Sequence, residues 1–267
     1  MVSSTKSLRR VHNTPVEIEI KGKTVEKSMS EKILGVIMSN DLTWRHHFYG
    51  EPEKVKEDRS EGLLTALSKR IGIFRGVVKY AKGVNLRTLA NGLFYSKLSY
   101  SLPLFAEVWI KEPYRYKPDS RKYKTKEEYR KLQVLQNRLE RIIYSRENDV
   151  PEYEIKAIPT ERLLTSNRMQ SVHQMGAQSV LNTYRKIIKT GKPRYLYEQL
   201  CRQEGRRGHT WRVKTTPKLS VTTSKLIERG TKLWNMLSKD IKKIESNHGY
   251  KREVKKWTML NIPIKPG

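Results

Sequence analysis

The chain has 267 residues, and its 55 Lys and Arg against 27 Asp and Glu give a net charge of +28. The single cysteine, Cys201, excludes an internal disulfide and any zinc site built on several cysteines. No stretch approaches the ~18 consecutive apolar residues of a membrane span, and the first residues lack a secretory signal. We therefore expect a nuclear or cytoplasmic protein with no membrane partner. Its charge favours nucleic acid as the partner, because Lys and Arg displace counterions from phosphates.

The N-terminal 45 residues are predicted to form a small antiparallel β element. Residues 16–20 (VEIEI) alternate apolar and acidic side chains, which is the period of a half-buried strand. Lys21-Gly22-Lys23 can turn the chain into a return strand at 24–26. Residues 32–38 (KILGVIM) are apolar and partly β-branched, and they are predicted as one further strand.

An amphipathic helix is predicted after a polar loop at 49–60. Its apolar residues follow helical spacing and are Leu63, Leu67, Ile71, Phe74 and Val78. Its basic residues fall mostly elsewhere on the helix surface and are Lys69, Arg70, Arg75, Lys79 and Lys82. Such a face is normally solvated, but the net charge of the chain raises the expectation that this one contacts phosphate.

Two long helices are predicted in the middle of the chain. Asn85 can cap the first, which should kink or end near Leu102 because Pro103 cannot continue it. Thr125 and Glu128 have the spacing of a capping box at the start of the second. The apolar stripe of the second helix consists of Leu132, Leu135, Leu139, Ile142 and Ile143.

Further helices are predicted towards the C-terminus. Thr160 can cap a helical region that extends to about Lys189, with a break near residues 165–167 and a stop at Gly191-Lys192-Pro193. Another helix should begin at residue 223 or 224. Ser246 should cap the last helix.

Residues 202–218 are basic and weakly periodic, and they are predicted to form an exposed loop. The segment from 201 to 267 carries 17 basic and 5 acidic side chains, so this end of the chain holds much of the charge excess. The candidate phosphate contacts in the loop are Arg202, Arg206, Arg207 and Arg212. Trp211 either stacks on a base or anchors the loop on the core.

The residues of a nucleotidyl-transfer site are missing from the sequence. Such a site needs carboxylates that converge on two metal ions. The five aspartates are widely separated and stand at positions 41, 58, 119, 149 and 240. Glycine-rich phosphate loops of the standard spacings are also absent. We therefore predict no catalytic residue, no metal site and no cofactor within this chain.

Several blocks of the sequence match, in order, the motifs of one family. They are EKILGVIMSNDLTWRHHF (31–48), GLLTALSKRIGIFRGVV (62–78), GLFYSKLSYSLPLFAEVW (92–109), KLQVLQNRLERII (131–143), GTKLWNMLSKDIKKIES (230–246) and YKREVKKWTMLNIPIKP (250–266). This series resembles the downstream part of a non-LTR retrotransposon (LINE-type) reverse transcriptase, from the primer-grip hairpin through the thumb to the C-terminal region. Two positions depart from the family ending: Ser238 stands where it usually has Pro, and Tyr250 where it has Phe.

The pattern and the resemblance together predict a mainly α fold. A small N-terminal antiparallel β element (1–48) is followed by a thumb-like helical bundle (49–150) and a basic region of further helices (151–267). The resemblance implies primer-grip-like positions at Leu34 and Gly35 and a duplex-holding surface on the thumb helices.

The resemblance also implies what the chain lacks. The paired aspartates and Mg²⁺ of the family's palm have no counterpart here, so its RNA-directed DNA polymerase activity does not carry over. We expect a catalytically incomplete fragment that binds RNA, DNA or hybrid through the phosphate backbone without sequence preference. Two alternatives stay open. The chain completes a polymerase when palm and fingers are supplied separately, or it is a domesticated, non-enzymatic protein that binds an acidic partner.

Overall fold

The structure is a computed structural model, and it describes residues 18–25, 28–39, 44–51, 61–81, 84–100, 102–106, 127–202, 213–215 and 225–264. Over these residues the protein is mainly helical, and antiparallel β-hairpins at the N-terminal end precede the helices. This confirms the predicted fold class. The chain divides into two compact units, unit 1 (residues 1–77) and unit 2 (residues 78–267). The division into three regions stays a prediction.

Unit 1 consists, in its described residues, of two β-hairpins followed by two helices. The elements are β1 (Ile18–Ile20), β2 (Lys23–Val25), β3 (Ser30–Ile33), β4 (Val36–Ser39), α1 (Arg45–Tyr49) and α2 (Leu63–Val77). β1 pairs with β2 and β3 with β4, each pair antiparallel and in its own sheet. The first hairpin turns at Lys21 and Gly22, as the sequence predicts.

The second hairpin shows that the predicted single strand over 32–38 is wrong. The chain reverses at Leu34 and Gly35, whose φ angles are 48° and 79°, and Ile33 lies opposite Val36 in the ladder. Positive φ at both central residues is what a tight type I′ turn requires, and Asn-Gly usually supplies it. Because a leucine takes the first position, the apolar run is continuous and the turn is hidden from the pattern.

The apolar stripe predicted for this helix is buried at Leu63, Leu67, Ile71 and Phe74, and α1 contacts both β4 and α2. The prediction is wrong at Val78, which lies in the 3₁₀ turn after α2 and is half-buried. The junction before α2 is tight: a Cβ on Gly62 would lie 2.4 Å from the backbone of both Tyr49 and Gly50. Only glycine permits this approach, so α2 is anchored at its start by the backbone as well as by side-chain packing.

Unit 2 is helical in its described residues except for one short hairpin. After a 3₁₀ turn (Val78–Tyr80) its elements are α3 (Val84–Ala90), a π-helical segment (Asn91–Tyr95), α4 (Ser96–Ser99), α5 (Leu102–Phe105), α6 (Glu127–Asn148), α7 (Glu152–Ile155), α8 (Thr160–Ser166), α9 (Val172–Thr190), α10 (Arg194–Tyr197), β5 (Leu200–Arg202), β6 (Val213–Thr215), α11 (Lys225–Met236), α12 (Lys239–Lys243) and α13 (Asn247–Asn261).

Helix α9 is the centre of unit 2 and contacts α5, α6, α10, α11 and α13. It begins with a capping box in which Ser171 and Gln174 satisfy each other's backbone N–H, and it ends at Gly191 in the left-handed conformation. Tyr184 in its middle is fully buried and hydrogen bonds Thr231 of α11 at 2.8 Å. The helix is therefore fixed at both ends and along its length.

The helices of unit 2 differ from the sequence prediction in the region before α6. Asn85 lies inside α3 and is not its cap, and the predicted long helix is divided by the π-helical segment and by a break after Ser99. Pro103 stands in the first turn of α5, where its missing N–H costs no helical hydrogen bond. The apolar stripe predicted for α6 is buried at every position except Ile142, which is half-buried.

Towards the C-terminus one predicted helix cap is confirmed, but one short helix and one hairpin were not predicted. Ser246 caps α13 as predicted, and its Oγ accepts from the N–H of Gly249 at 3.3 Å. Ser238, where the family usually has Pro, caps the short helix α12, which the sequence did not predict. The predicted loop at 202–218 is wrong at Arg202 and at Val213–Thr215, because β5 and β6 form an antiparallel ladder. These strands have three residues each, too short for an alternating pattern to register.

Candidate nucleic-acid interface

Three of the predicted phosphate contacts, Lys69, Arg70 and Arg75, lie on α2 of unit 1. Lys69 and Arg75 are exposed, and Arg70 is half-buried. Lys79 lies in the 3₁₀ turn that begins unit 2, with its Nζ 4.9 Å from the ring centroid of Tyr80. Lys82 falls outside the described residues. The structure therefore places three of the five residues together on one helix.

The exposed side of α2 carries no acidic residue of its own. Lys69 is paired with Glu61, just before the helix, at 2.7 Å. Gly72 and Gly76 are exposed on the same helix, and a Cβ on either would meet nothing within 4 Å. Ile73 is also exposed, so the surface mixes cations, glycine and apolar side chains.

The basic loop lies mostly outside the described residues. Arg202 is the last residue of β5 and stands opposite Val213. Arg206, Arg207, Trp211 and Arg212 fall outside, so their contacts, and the two roles considered for Trp211, stay predictions.

Leu34 and Gly35 form the tip of the β3–β4 hairpin in unit 1. Leu34 is exposed over 83% of its surface and has positive φ, an uncommon conformation for a branched apolar residue. Ile33 beside it is also exposed. The tip therefore presents apolar side chains at a strained turn, while Ile37 behind it is buried.

A further basic surface, which the sequence analysis did not single out, lies on α13 of unit 2. Four exposed cations form this α13 basic face: Lys251, Arg252, Lys255 and Lys256. At 3.6 residues per turn they fall within an arc of about 140°. The sequence signal was present as two basic pairs four residues apart. The spacing alone does not show which side of the helix is buried.

The opposite side of α13 is fixed in the core. Tyr250, Val254 and Thr258 are each at most 1% exposed. The guanidinium of Arg185 lies 4.0 Å from the centroid of the Tyr250 ring and donates to the backbone carbonyl of Glu245 at 2.9 Å. Burial raises the pKa of Tyr250 above its usual range and lowers that of Arg185. The direction of the α13 basic face is therefore set by packing.

Buried amide groups also connect α13 to α9 and α6. Gln170 Nε2 donates to Thr258 Oγ1 at 2.7 Å, and Gln174 Nε2 donates to the carbonyl of Ile262 at 2.8 Å. The carbonyl of Gln170 accepts from Gln136 of α6 at 2.7 Å. These bonds satisfy backbone and side-chain groups that packing would otherwise leave unpaired.

This chain of bonds continues to Glu140 on α6, a fully buried carboxylate. It accepts hydrogen bonds from Tyr95 Oη, from Asn167 Nδ2 at 2.6 Å and from Arg87 Nη1 at 3.2 Å. Burial is the largest influence on the pKa of Glu140 and raises it, although these three partners oppose the shift. Burial likewise raises the pKa of Tyr95. Because Glu140 is hydrogen bonded to Tyr95, Asn167 and Arg87 and is buried, we interpret this cluster as one that stabilises the packing of α6.

Metal ligands do not converge anywhere in the described part of the chain: no three His, Cys, Asp or Glu residues there lie together. The described residues therefore do not fit the Mg²⁺ that the resemblance implies for the palm of the parent family. In the same residues, no helix is long and apolar enough to cross a membrane.

Comparison with protein-family models, with curated proteins and with solved structures finds no match to this chain.

Proposed function

We propose that this protein binds nucleic acid through the phosphate backbone, without sequence preference, as the primer-grip, thumb and C-terminal region of a LINE-type reverse transcriptase. The observation that carries the proposal is the net charge of +28. A compact chain with this charge repels itself, and a polyanion relieves the repulsion. The proposal assigns no catalytic residue to the chain.

The exposed side of α2 is the proposed contact surface in unit 1. Lys69 and Arg75 extend from a helix that has no acid of its own, and Gly72 and Gly76 lie exposed on the same helix. Phosphate contacts of this kind position a duplex but do not read its sequence. An A-form-like hybrid would be held in the same way, by shape and backbone.

The hairpin tip at Leu34 and Gly35 supports the primer-grip part of the proposal. An exposed leucine at positive φ costs about 1–2 kcal/mol relative to a residue suited to that conformation, and burial in the described fold does not repay it. Backbone strain of this kind is concentrated at functional sites. We propose that Leu34 contacts the nucleic-acid strand held by the protein.

The experiment is a salt titration of binding. The full chain is mixed with fluorescent duplexes of about 20 base pairs and unrelated sequence, including an RNA–DNA hybrid, and anisotropy is read between about 50 and 200 mM salt. We expect affinities equal within about threefold and a slope of log K against log salt of about −4 or steeper. A slope near zero, or a strong preference for one sequence, contradicts the proposal. Tighter binding to a polyglutamate than to any duplex would favour the acidic-partner alternative.

The surface on α2 is tested with matched variants. Lys69→Gln with Arg75→Gln removes two charges from α2, and Arg130→Gln with Lys232→Gln removes two exposed charges from ion pairs on α6 and α11. We expect the first pair to lower the affinity about tenfold and the salt slope by about 2, and the control to change both far less. Equal effects would show that total charge alone sets the affinity.

The hairpin tip is tested with Leu34→Asn. Asn-Gly is the preferred type I′ pair, so the fold should gain about 1 kcal/mol while the exposed leucine is lost. We expect a higher urea midpoint together with weaker binding. Unchanged binding would remove Leu34 from the interface.

A further inference from the structure

We infer that the α13 basic face is a phosphate-binding surface in its own right, and that it holds the backbone of a nucleic-acid duplex independently of α2. This rests on the proposed function and gives it a site in unit 2. The site differs from every residue that the sequence analysis assigned to nucleic acid.

Helix α13 carries an electrostatic cost that the fold does not explain. Lys251 and Lys255 stand four residues apart on the helix, and so do Arg252 and Lys256. Like charges at this spacing destabilise a helix. Glu253 bonds Arg252 Nε at 3.3 Å and Lys256 Nζ at 3.1 Å, but no ion pair holds Lys251 or Lys255 within the described part of the chain.

Elsewhere in unit 2, charges at this spacing often have a partner. Acid–base pairs form between Glu127 and Lys131, Arg194 and Glu198, and Glu228 and Lys232. The like charges Arg185 and Lys189 on α9 both donate to the backbone carbonyl of Glu245. Because Lys251 and Lys255 have no such ion pair in the described part of the chain, a bound polyanion would turn their repulsion into attraction.

Helix α13 presents cations to a ligand, whereas the apolar side that could enter a membrane is buried. Its apolar side is occupied by the core through Tyr250, Val254 and Thr258. A helix that binds membranes needs that side free to enter the lipid. The arc of the basic face holds a single aromatic ring, that of His248, whereas single-stranded ligands stack successive bases on several aromatic side chains. Backbone contact with a duplex is the mode that remains.

The spacing of two lysines on α13 also fits the phosphates of a duplex strand. Lys251 and Lys255 are about 6 Å apart along the helix axis, and phosphates follow one another at about 3.4 Å along the axis of a duplex strand. The two lysines thus match phosphates about two steps apart. Because Ser246 caps the helix and Arg185 holds its start, the spacing does not have to be formed on binding.

The experiment uses the full chain and a fluorescent duplex of about 20 base pairs. Lys251→Gln with Lys255→Gln is compared with a control of equal charge change, Lys131→Gln with Lys232→Gln. We expect the first variant to bind about tenfold more weakly at ~0.1 M salt and to lose about 2 from the salt slope, and the control to lose much less. Lys251→Arg with Lys255→Arg should keep the wild-type affinity.

Three further readings decide the outcome. The thermal midpoint of the glutamine variant should equal or exceed that of the wild type, because the repulsion is gone; a lower midpoint overturns the electrostatic argument. Equal losses of affinity in variant and control overturn the inference. The proposed function is decided separately by the wild-type protein, and it stands if that protein binds the duplex with a steep salt slope. Binding to phosphatidylserine vesicles that depends on Lys251 and Lys255 and is as strong as binding to the duplex also overturns the inference.

Discussion

Helices α2 and α13 have the same length, 15 residues, but they present their charge differently. On α2 the cations Lys69, Arg70 and Arg75 spread over about 220° of the helix surface, with glycine and apolar residues between them. On α13 four cations share about 140°. A count of basic residues therefore does not locate an interface. The positions of the cations relative to the buried side decide whether their charges add along one line.

The two helices also differ in their supports. α2 is held by an apolar stripe, whereas α13 is held by apolar residues together with the polar bonds to Gln170, Gln174 and Arg185. Polar bonds fix direction more narrowly than apolar contacts do, because they depend on angle as well as distance. We therefore expect changes in the unit 2 core to reach the α13 basic face.

The largest expected effect is that of Gly230→Ala in α11. A Cβ there would lie 2.2 Å from Cδ2 of the Tyr184 ring, which is buried and hydrogen bonded. We expect a loss of about 2–3 kcal/mol in the free energy of unfolding by urea, because the ring has no room to move. Gly92→Ala, where a Cβ meets nothing within 4 Å, is the control.

Hydrogen exchange then separates the two helices in this variant. Amides of α9 and α13 should exchange faster in Gly230→Ala, while those of α2 keep the wild-type rate. Equal acceleration in α2 would show that the two units do not respond separately.

The next effect concerns α2 and has the opposite sign. Gly72→Ala and Gly76→Ala should each raise the free energy of unfolding by about 0.5–1 kcal/mol, since exposed glycine in a helix is less favourable than alanine. We expect duplex affinity to stay the same, because Lys69 and Arg75 reach beyond a methyl group. A loss of affinity with a higher urea midpoint would mean that phosphate approaches the backbone of α2 itself.

These differences mark what the sequence could and could not predict. The stripe of α2 was predictable because every fourth or third residue from Leu63 to Phe74 is apolar, and local periodicity is enough to bury it. The local pattern does not predict the hairpin at Leu34, since its turn needs a positive φ that is uncommon for leucine; only the resemblance implied a hairpin there. The α13 basic face was readable as spacing, but only packing shows which side of that helix meets solvent.

A smaller effect is expected at the buried end of the network that supports α13. Burial raises the pKa of Glu140, so the folded state holds this proton more tightly than the unfolded state does. The free energy of unfolding of the wild type therefore decreases as pH rises from the ordinary glutamate pKa through the raised one, because the buried carboxyl must then lose its proton. In Glu140→Gln this contribution is absent, although the bond from Tyr95 is weakened.

We accordingly expect the stability of Glu140→Gln relative to the wild type to increase from pH 4 to pH 7, as followed by urea unfolding. Only the change with pH is diagnostic, because the altered hydrogen bonds contribute equally at every pH. A relative stability that decreases over this range would mean that Arg87 and Asn167 outweigh burial.

The smallest effect compares the acids beside the two helices. Glu61 pairs with Lys69 at 2.7 Å, and Glu253 pairs with Lys256 at 3.1 Å and with Arg252 at 3.3 Å. Removing either acid frees cations and removes repulsion of phosphate, so both Glu61→Gln and Glu253→Gln should bind a duplex more tightly. If the denser face is the better phosphate surface, Glu253→Gln should gain several-fold and Glu61→Gln less, as measured by anisotropy at ~0.1 M salt. The reverse order would place the main contact on α2, because the larger gain belongs to the helix whose cations lie nearest the bound phosphates.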